Sequence, residues 1–202
     1  MNPTGQRLTD LAREHGRIWY DASTRICVGP RDTLWYAIAL LFSEAADERT
    51  RGDALLGEAA SADGTHTPAT MLAILLALPE RISPGARLNL EAQIKRSLPE
   101  AALCEWHDGN VNHPLAAWAA LILGGERLSD TTAVANGLGR LRMFAHTVGN
   151  RRHVNNRQAF FSEYHSPTYS ALNLWFLALV ADFARDEETR RLALFLEQRL
   201  WV

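Results

Sequence analysis

The spacing of apolar residues constrains the fold more than any other feature of this sequence. Apolar residues recur at three- and four-residue steps through most of the 202-residue chain, and the two-residue alternation of half-buried strands is almost absent. An apolar helix must be buried on most sides, whereas a helix with one apolar stripe can face water. Three successive pairs join an apolar segment to an amphipathic, arginine-bearing one: 68–78 with 84–97, 114–123 with 129–146, and 167–184 with 186–200. The sequence therefore predicts an all-α protein of paired antiparallel helices with an inner and an outer layer.

The helix starts indicate how the pairs are arranged. Earlier helices are predicted over residues 4–15, 32–47 and 48–61, and the apolar helices start near residues 32, 67, 113 and 166. This unequal spacing argues against a regular helical array and favours an α/α toroid whose loops differ in length. Four pairs do not close a ring of six. We therefore expect a single domain over residues 1–202 that forms an incomplete toroid, completed by a partner chain or by a further C-terminal segment.

Composition and charge exclude several classes of function. The formal net charge of −2 leaves no basic excess of the kind that nucleic-acid binders carry, so we expect no nucleic-acid partner. The first 30 residues contain no apolar run of signal-peptide length, and no later segment approaches the roughly 20 apolar residues of a membrane span, which predicts a cytoplasmic protein with no membrane partner. Cys27 and Cys104 lie far apart and form no CxxC pair. Neither zinc nor redox chemistry is indicated, and no cofactor is expected.

Two loops carry most of the polar chemistry. They are CEWHDGNVNHP, residues 104–114, and HTVGNRRHVNNRQAFFSEYHSPTY, residues 146–169, and they hold five of the seven histidines. Each loop directly precedes a predicted inner helix, so both loops are expected at the same rim of the toroid. A loop of about 19 residues is unusual in a compact domain unless it is functional or disordered. The sequence therefore predicts a site at this rim.

His113 is the most unusual residue of the first loop. The prolines that open other predicted helices follow Thr67, Ser83 and Ser166, whose hydroxyl groups suit a helix N-cap. Pro114 instead follows a histidine. Either the imidazole merely caps its own helix or packs on Trp106, or the position requires an imidazole for function. The neighbouring polar residues of the loop favour the second interpretation.

Two segments resemble a known class of proteins. The stretch NVNHPLAAWAALILGGE is similar to the Asn-His helix start of heparinase II/III-like and alginate-lyase-like polysaccharide lyases, which are six-hairpin α/α toroids. The stretch FFSEYHSPTYSALNLWFLAL resembles a later segment of those toroids, where Ser-Pro-x-Tyr leads into another inner helix. Together they cover under a fifth of the chain. The chain lacks the later hairpins and the β-sandwich domain that usually follow in those lyases.

The resemblance implies a carbohydrate substrate and a β-elimination reaction on a uronic-acid glycan. Asn112 and His113 would neutralise the substrate carboxylate at the N-terminus of a helix, and Tyr169 or Tyr164 would act as acid and base. An arginine of the second loop would bind a neighbouring uronate, and Trp106 and Trp118 would stack on sugar rings. The implied catalytic residues are Asn112, His113, Glu163 and Tyr169, and the implied substrate-binding residues are Trp106, Asp108, Asn110, Arg152, Tyr164 and His165.

Two other functions fit the same rim. A glycoside hydrolase needs two carboxylates across the scissile bond, and Glu105 or Asp108 with Glu163 would supply them. A non-catalytic helical-repeat protein would use the rim to bind a partner or a glycan. A metal site is disfavoured because the histidine spacings match no standard ligand pattern. The residues weighed for such a metal site are His107, His113, His153 and His165.

Overall fold

The computed structural model describes residues 3–106, 110–149 and 166–200. The regular structure of these residues is helical, with no strand, and an isolated antiparallel bridge pairs Asp21 with Ile26. The predicted all-α class is therefore confirmed for the described part of the chain. The toroidal arrangement and the single-domain organisation stay predictions. None of the described helices is both long and apolar enough to cross a bilayer.

The helices follow the sequence pattern closely. A 3₁₀ turn at Pro79–Arg81 separates α4 from α5, and a π-helical segment at Ala120–Gly124 joins α6 to α7 without a break. The helices are α1 Pro3–Trp19, α2 Pro30–Leu41, α3 Ala46–Glu58, α4 His66–Ala77, α5 Pro84–Ala101, α6 Asn112–Ala119, α7 Gly125–Leu128, α8 Thr131–Gly149, α9 Pro167–Phe183 and α10 Glu187–Leu200.

Local capping chemistry explains where most helices begin. The Asp130 carboxylate accepts the backbone N–H of Ala133 at 3.0 Å, and Asp186 accepts that of Thr189 at 2.8 Å, so α8 and α10 begin where the sequence predicts. Helix α2 begins before the predicted start at residue 32. That helix begins at Pro30, whose missing N–H costs nothing at a first helical position, and Asp32 lies in the first turn.

The start of α4 also differs from the prediction. Residues 62–67 are predicted as a loop with Thr67 before the helix, whereas the helix begins at His66. The Asp63 carboxylate accepts the backbone N–H of Thr67 at 3.1 Å and that of Thr65 at 2.8 Å. Asp63 therefore satisfies amides that a helix start leaves without partners, and it moves the start towards the N-terminus.

The chain divides into two compact units, and each is described by itself. The first comprises Met1–Ala62 with Thr70–Ile94. In this unit α2 packs against α1 and α3 and buries one side that includes Leu34, Leu40 and Leu41. The Asn89 side chain on α5 donates to two carbonyl oxygens at the end of α3, which fastens the two helices together.

The second unit comprises Asp63–Ala69 with Lys95–Val202. Here α6 packs on both α8 and α9, and α10 packs on both α8 and α9. Apart from exposed His113, the residues from Asn112 through Gly124 are buried, whereas α10 buries a stripe at Thr189, Ala193, Leu196 and Leu200. Within this unit the apolar helices α6 and α9 thus contact each other, and the amphipathic helices α8 and α10 contact each other. The arrangement of these helices in an inner and an outer layer stays a prediction.

Aromatic packing forms the centre of the second unit. Phe144 on α8 is fully buried, and its ring lies 5.6 Å from the Trp118 ring and 5.3 Å from the Trp106 ring. Gly137, two turns earlier on α8, lets the helices approach closely, because a Cβ there would lie 2.9 Å from Leu121 Cβ. The first polar loop is therefore anchored to α8 through Trp106 before it reaches α6.

Candidate functional site

The turn before α4 holds a half-buried carboxylate, that of Asp63. Asp63 accepts four hydrogen bonds: from the N–H groups of Thr65 and Thr67, from the Thr67 hydroxyl at 2.7 Å and from the Thr65 hydroxyl at 3.1 Å. Burial raises the pKa of Asp63, but the hydrogen bonds from Thr67 and Thr65 outweigh it, so the pKa lies below its usual value. Asp63 is therefore a carboxylate at neutral pH and can only accept hydrogen bonds.

The Thr65 hydroxyl connects this carboxylate to two histidines. Thr65 Oγ1 lies 3.2 Å from His66 Nδ1 and 3.1 Å from His113 Nδ1. The two imidazole rings meet edge to face, with centroids 4.2 Å apart and planes at 88°. His66 is buried against the Phe176 ring of α9, whereas His113 is exposed. One hydroxyl group thus joins a buried imidazole to an exposed one.

The start of α6 is held by Asn110. Its amide oxygen accepts the backbone N–H of His113 at 3.3 Å and the side-chain N–H of Asn112 at 3.4 Å. The amide of Asn110 therefore caps the helix, and the ring of His113 extends to Thr65. The side chain of Asn112 is buried, with 3% of its surface exposed, so it supports the start of α6 from inside.

The other described candidates lie in different surroundings. Tyr169 in the first turn of α9 is 44% exposed, and its backbone N–H donates to the Ser166 hydroxyl. Trp106 is half-buried and meets Phe144 edge to face. The prediction that Trp118 stacks on a sugar is wrong, because its side chain is 1% exposed and packs in the core.

Several predicted residues are not placed. Glu105 is described and exposed, but the other carboxylates proposed for hydrolysis, the second-loop arginines and most histidines of the metal alternative lie outside the described residues, and their roles stay predictions. These residues are His107, Asp108, Arg151, Arg152, His153, Arg157, Glu163, Tyr164 and His165. Among residues 3–106, 110–149 and 166–200, no group of three or more His, Cys, Asp and Glu side chains has the arrangement of a metal site.

Sequence reasoning missed Asp63, Thr65 and His66. The sequence signal for Asp63 is limited to its residue type, since aspartate is a preferred cap but Asp63 does not directly precede the predicted Thr-Pro helix start. No comparable signal places Thr65 against His113, because the two residues are separated by 48 positions. That contact depends on tertiary packing, which a periodicity pattern does not specify.

One buried amide near this site is costly to the fold. Asn173 on α9 is fully buried, one turn before the Phe176 that contacts His66. In the part of the chain that the structure describes, neither amide atom of Asn173 has a hydrogen-bond partner. Burial of an unsatisfied polar group destabilises a fold by about 1–3 kcal/mol. Asn173 is therefore a position where an apolar side chain fits the packing better.

We expect Asn173→Leu to raise the free energy of unfolding by about 1 kcal/mol, because it removes two polar atoms without partners. The measurement is equilibrium unfolding in urea. Asn89→Leu is the matched control, since the Asn89 side chain donates to Leu56 O and Ala59 O, both at 2.9 Å. That control is expected to lose about 1–3 kcal/mol because it leaves acceptors unsatisfied. Equal losses in both variants would contradict the interpretation of Asn173.

Comparison with known proteins gives no further assignment of this site. No known protein family, curated protein or solved structure matches the chain.

Proposed function

We propose that this protein is a polysaccharide lyase that cleaves a uronic-acid-containing glycan by β-elimination, on an α/α-toroid scaffold. The observation that carries the proposal is the placement of His113. Its ring is exposed at the N-terminus of a buried helix, and its Nδ1 lies within hydrogen-bond distance of Thr65. An oriented, accessible imidazole beside the positive end of a helix suits a substrate that carries a carboxylate.

The chemistry of β-elimination defines what the site must supply. A base removes the proton on the carbon next to the uronate carboxylate, and the electron pair forms a carbon–carbon double bond. The glycosidic C–O bond breaks, and an acid protonates the departing oxygen. The carboxylate must be stabilised while the adjacent carbon loses its proton. The site therefore needs a positive or hydrogen-bonding group for the carboxylate, together with a base and an acid.

The described residues have the chemical types that these tasks require. The start of α6 and the imidazole of His113 suit the carboxylate. The exposed phenol of Tyr169 suits proton transfer. Asn112 is buried, so its proposed part is to hold the start of α6 in place through Asn110. Arg152, Glu163 and the other second-loop residues keep their proposed binding and catalytic roles.

The test is incubation of the full chain with alginate, heparan sulfate and chondroitin sulfate, with the ultraviolet absorbance of the unsaturated uronate product as the signal. We expect Tyr169→Phe to lower kcat about 10²–10⁴-fold, the usual contribution of a positioned acid or base, and His113→Ala to lower it about 10²–10³-fold, the usual cost of losing a group that stabilises developing charge. His15→Ala is the control, because His15 is also exposed but lies on α1, where its ring meets Trp19.

The outcomes separate the three functions. Absorbance that depends on His113 and Tyr169 supports the lyase. Release of reducing ends without absorbance contradicts it and favours the glycoside hydrolase, for which Glu105 is an exposed carboxylate on the first loop. Glycan binding without either signal favours the non-catalytic protein.

A further inference from the structure

The Thr65 hydroxyl has one proton and three neighbours that compete for it. Asp63 Oδ1 lies at 3.1 Å, His66 Nδ1 at 3.2 Å and His113 Nδ1 at 3.1 Å. A hydroxyl donates one hydrogen bond and accepts two, so all three contacts are satisfied only when one neighbour accepts and the other two donate. The arrangement therefore fixes the positions of several protons together.

The carboxylate is the neighbour that must accept. An ionised Asp63 has no proton to donate, and a hydrogen bond to a charged acceptor is about twice as strong as a neutral one. If the hydroxyl donated to a histidine instead, Thr65 Oγ1 and Asp63 Oδ1 would face each other as two acceptors at 3.1 Å. The hydroxyl proton thus lies on the Asp63 side, and the two lone pairs of Oγ1 face the histidines.

We propose that Asp63 and Thr65 are positioning residues that hold His66 and His113 as the Nδ1–H tautomer. In this arrangement each Nδ1–H donates to Thr65 Oγ1. The lone pair of neutral His113 then resides on Nε2. The partner of one ring nitrogen decides the protonation of the other, so the hydroxyl group of Thr65, in the turn before α4, determines which nitrogen of His113 is basic.

The consequence for catalysis rests on the proposed lyase function, whereas the tautomer does not. With Nδ1 donating to Thr65, Nε2 is the atom of His113 that takes up a proton, and the resulting imidazolium donates from Nε2 to the substrate carboxylate. Because His113 is exposed and His66 is buried, the same hydroxyl orients one imidazole for substrate and one for packing against Phe176. Thr65 thereby acts on the substrate only through His113.

The test is long-range ¹H–¹⁵N correlation spectroscopy of the ¹⁵N-labelled full chain, at a pH well above the ordinary histidine pKa of about 6.5. His66→Gln and His113→Gln assign the two rings by loss of their signals. We expect both rings to show a protonated Nδ1 and an unprotonated Nε2. A protonated Nε2 on neutral His113 in the unaltered protein overturns the proposal.

Variants at Thr65 test the cause. Thr65→Val replaces the hydroxyl by a methyl group of similar size, and we expect the His113 signals to shift toward the Nε2–H form. Thr65→Ser keeps a hydroxyl and is expected to keep the Nδ1–H pattern. Backbone amide spectra establish that both variants are folded. An unchanged His113 pattern in Thr65→Val contradicts the role of Thr65.

Activity separates this inference from the proposed function. If the protein is a lyase, Thr65→Val lowers kcat about 10-fold or more with a small change in KM, because a misoriented His113 stabilises the carboxylate less well while the adjacent carbon loses its proton. Thr65→Ser, which keeps the hydroxyl group, is expected to retain most of the kcat of the unaltered protein. The Nδ1–H pattern without lyase activity supports the positioning roles and contradicts the proposed function. Lyase activity with a His113 tautomer that is independent of Thr65 supports the proposed function and contradicts the positioning role of Thr65.

Discussion

Replacement of Phe144 by alanine is expected to lower the free energy of unfolding by about 3–5 kcal/mol, the usual cost of deleting a buried aromatic ring. The Phe144 side chain is fully buried and contacts two tryptophan rings, so neither side of the resulting cavity can easily collapse. The loss also removes two aromatic contacts, each worth about 0.5–1.5 kcal/mol beyond area burial. Equilibrium unfolding in guanidinium chloride measures the change.

Met143→Ala is the matched control for Phe144. Met143 precedes Phe144 on α8, but 55% of its surface is exposed, so its truncation is expected to change stability by about 0.5 kcal/mol or less. The comparison separates core packing from any effect of alanine on the helix itself. A loss below about 1 kcal/mol for Phe144→Ala would contradict the assignment of this ring to the centre of the second unit.

The sequence predicts the helices well because their signals are local. Asp130 and Asp186 each lie three residues before the amide that they accept, so the cap and the helix are visible in the same short stretch. Asp63 instead accepts amides two and four residues later, and α4 begins two residues before Pro68, so a proline at the helix start predicts too late a beginning. Helix starts and apolar faces thus follow from neighbouring residues.

The candidate site is less predictable because it depends on distant contacts. The sequence pattern identifies His113 as a candidate, and the structure shows this residue exposed. It does not identify Thr65, which contacts the His113 ring and lies 48 positions earlier in the chain. The error at Trp118 has a different cause. A helix buried on most sides leaves little surface for a ligand, so the predicted inner position of α6 already favoured a core role for this tryptophan.

Gly64→Ala is expected to lower the free energy of unfolding by about 1–3 kcal/mol, the usual cost of inserting a methyl group into a tightly packed place. A Cβ on Gly64 would lie 2.7 Å from the backbone nitrogen of Ala101 and 2.8 Å from Glu100 Cβ. A backbone atom at the end of α5 cannot turn aside as a flexible side chain can. The turn that carries Asp63 and Thr65 must therefore shift.

Gly139→Ala is the matched control for Gly64 and is expected to change stability in the opposite direction. Gly139 lies on the exposed side of α8, and a Cβ there would meet nothing within 4 Å. Alanine in a helix interior is more stable than glycine by about 0.5–1 kcal/mol, so Gly139→Ala should gain stability. Equilibrium unfolding in urea measures both glycine variants.

Because the shifted turn carries Thr65, Gly64→Ala should also move the His113 ring signals in the ¹H–¹⁵N spectrum, whereas Gly139→Ala should leave them in place. A Gly64→Ala protein as stable as the unaltered chain would show that the turn accommodates a methyl group at residue 64. The contact of the turn with α5 would then not position the histidines.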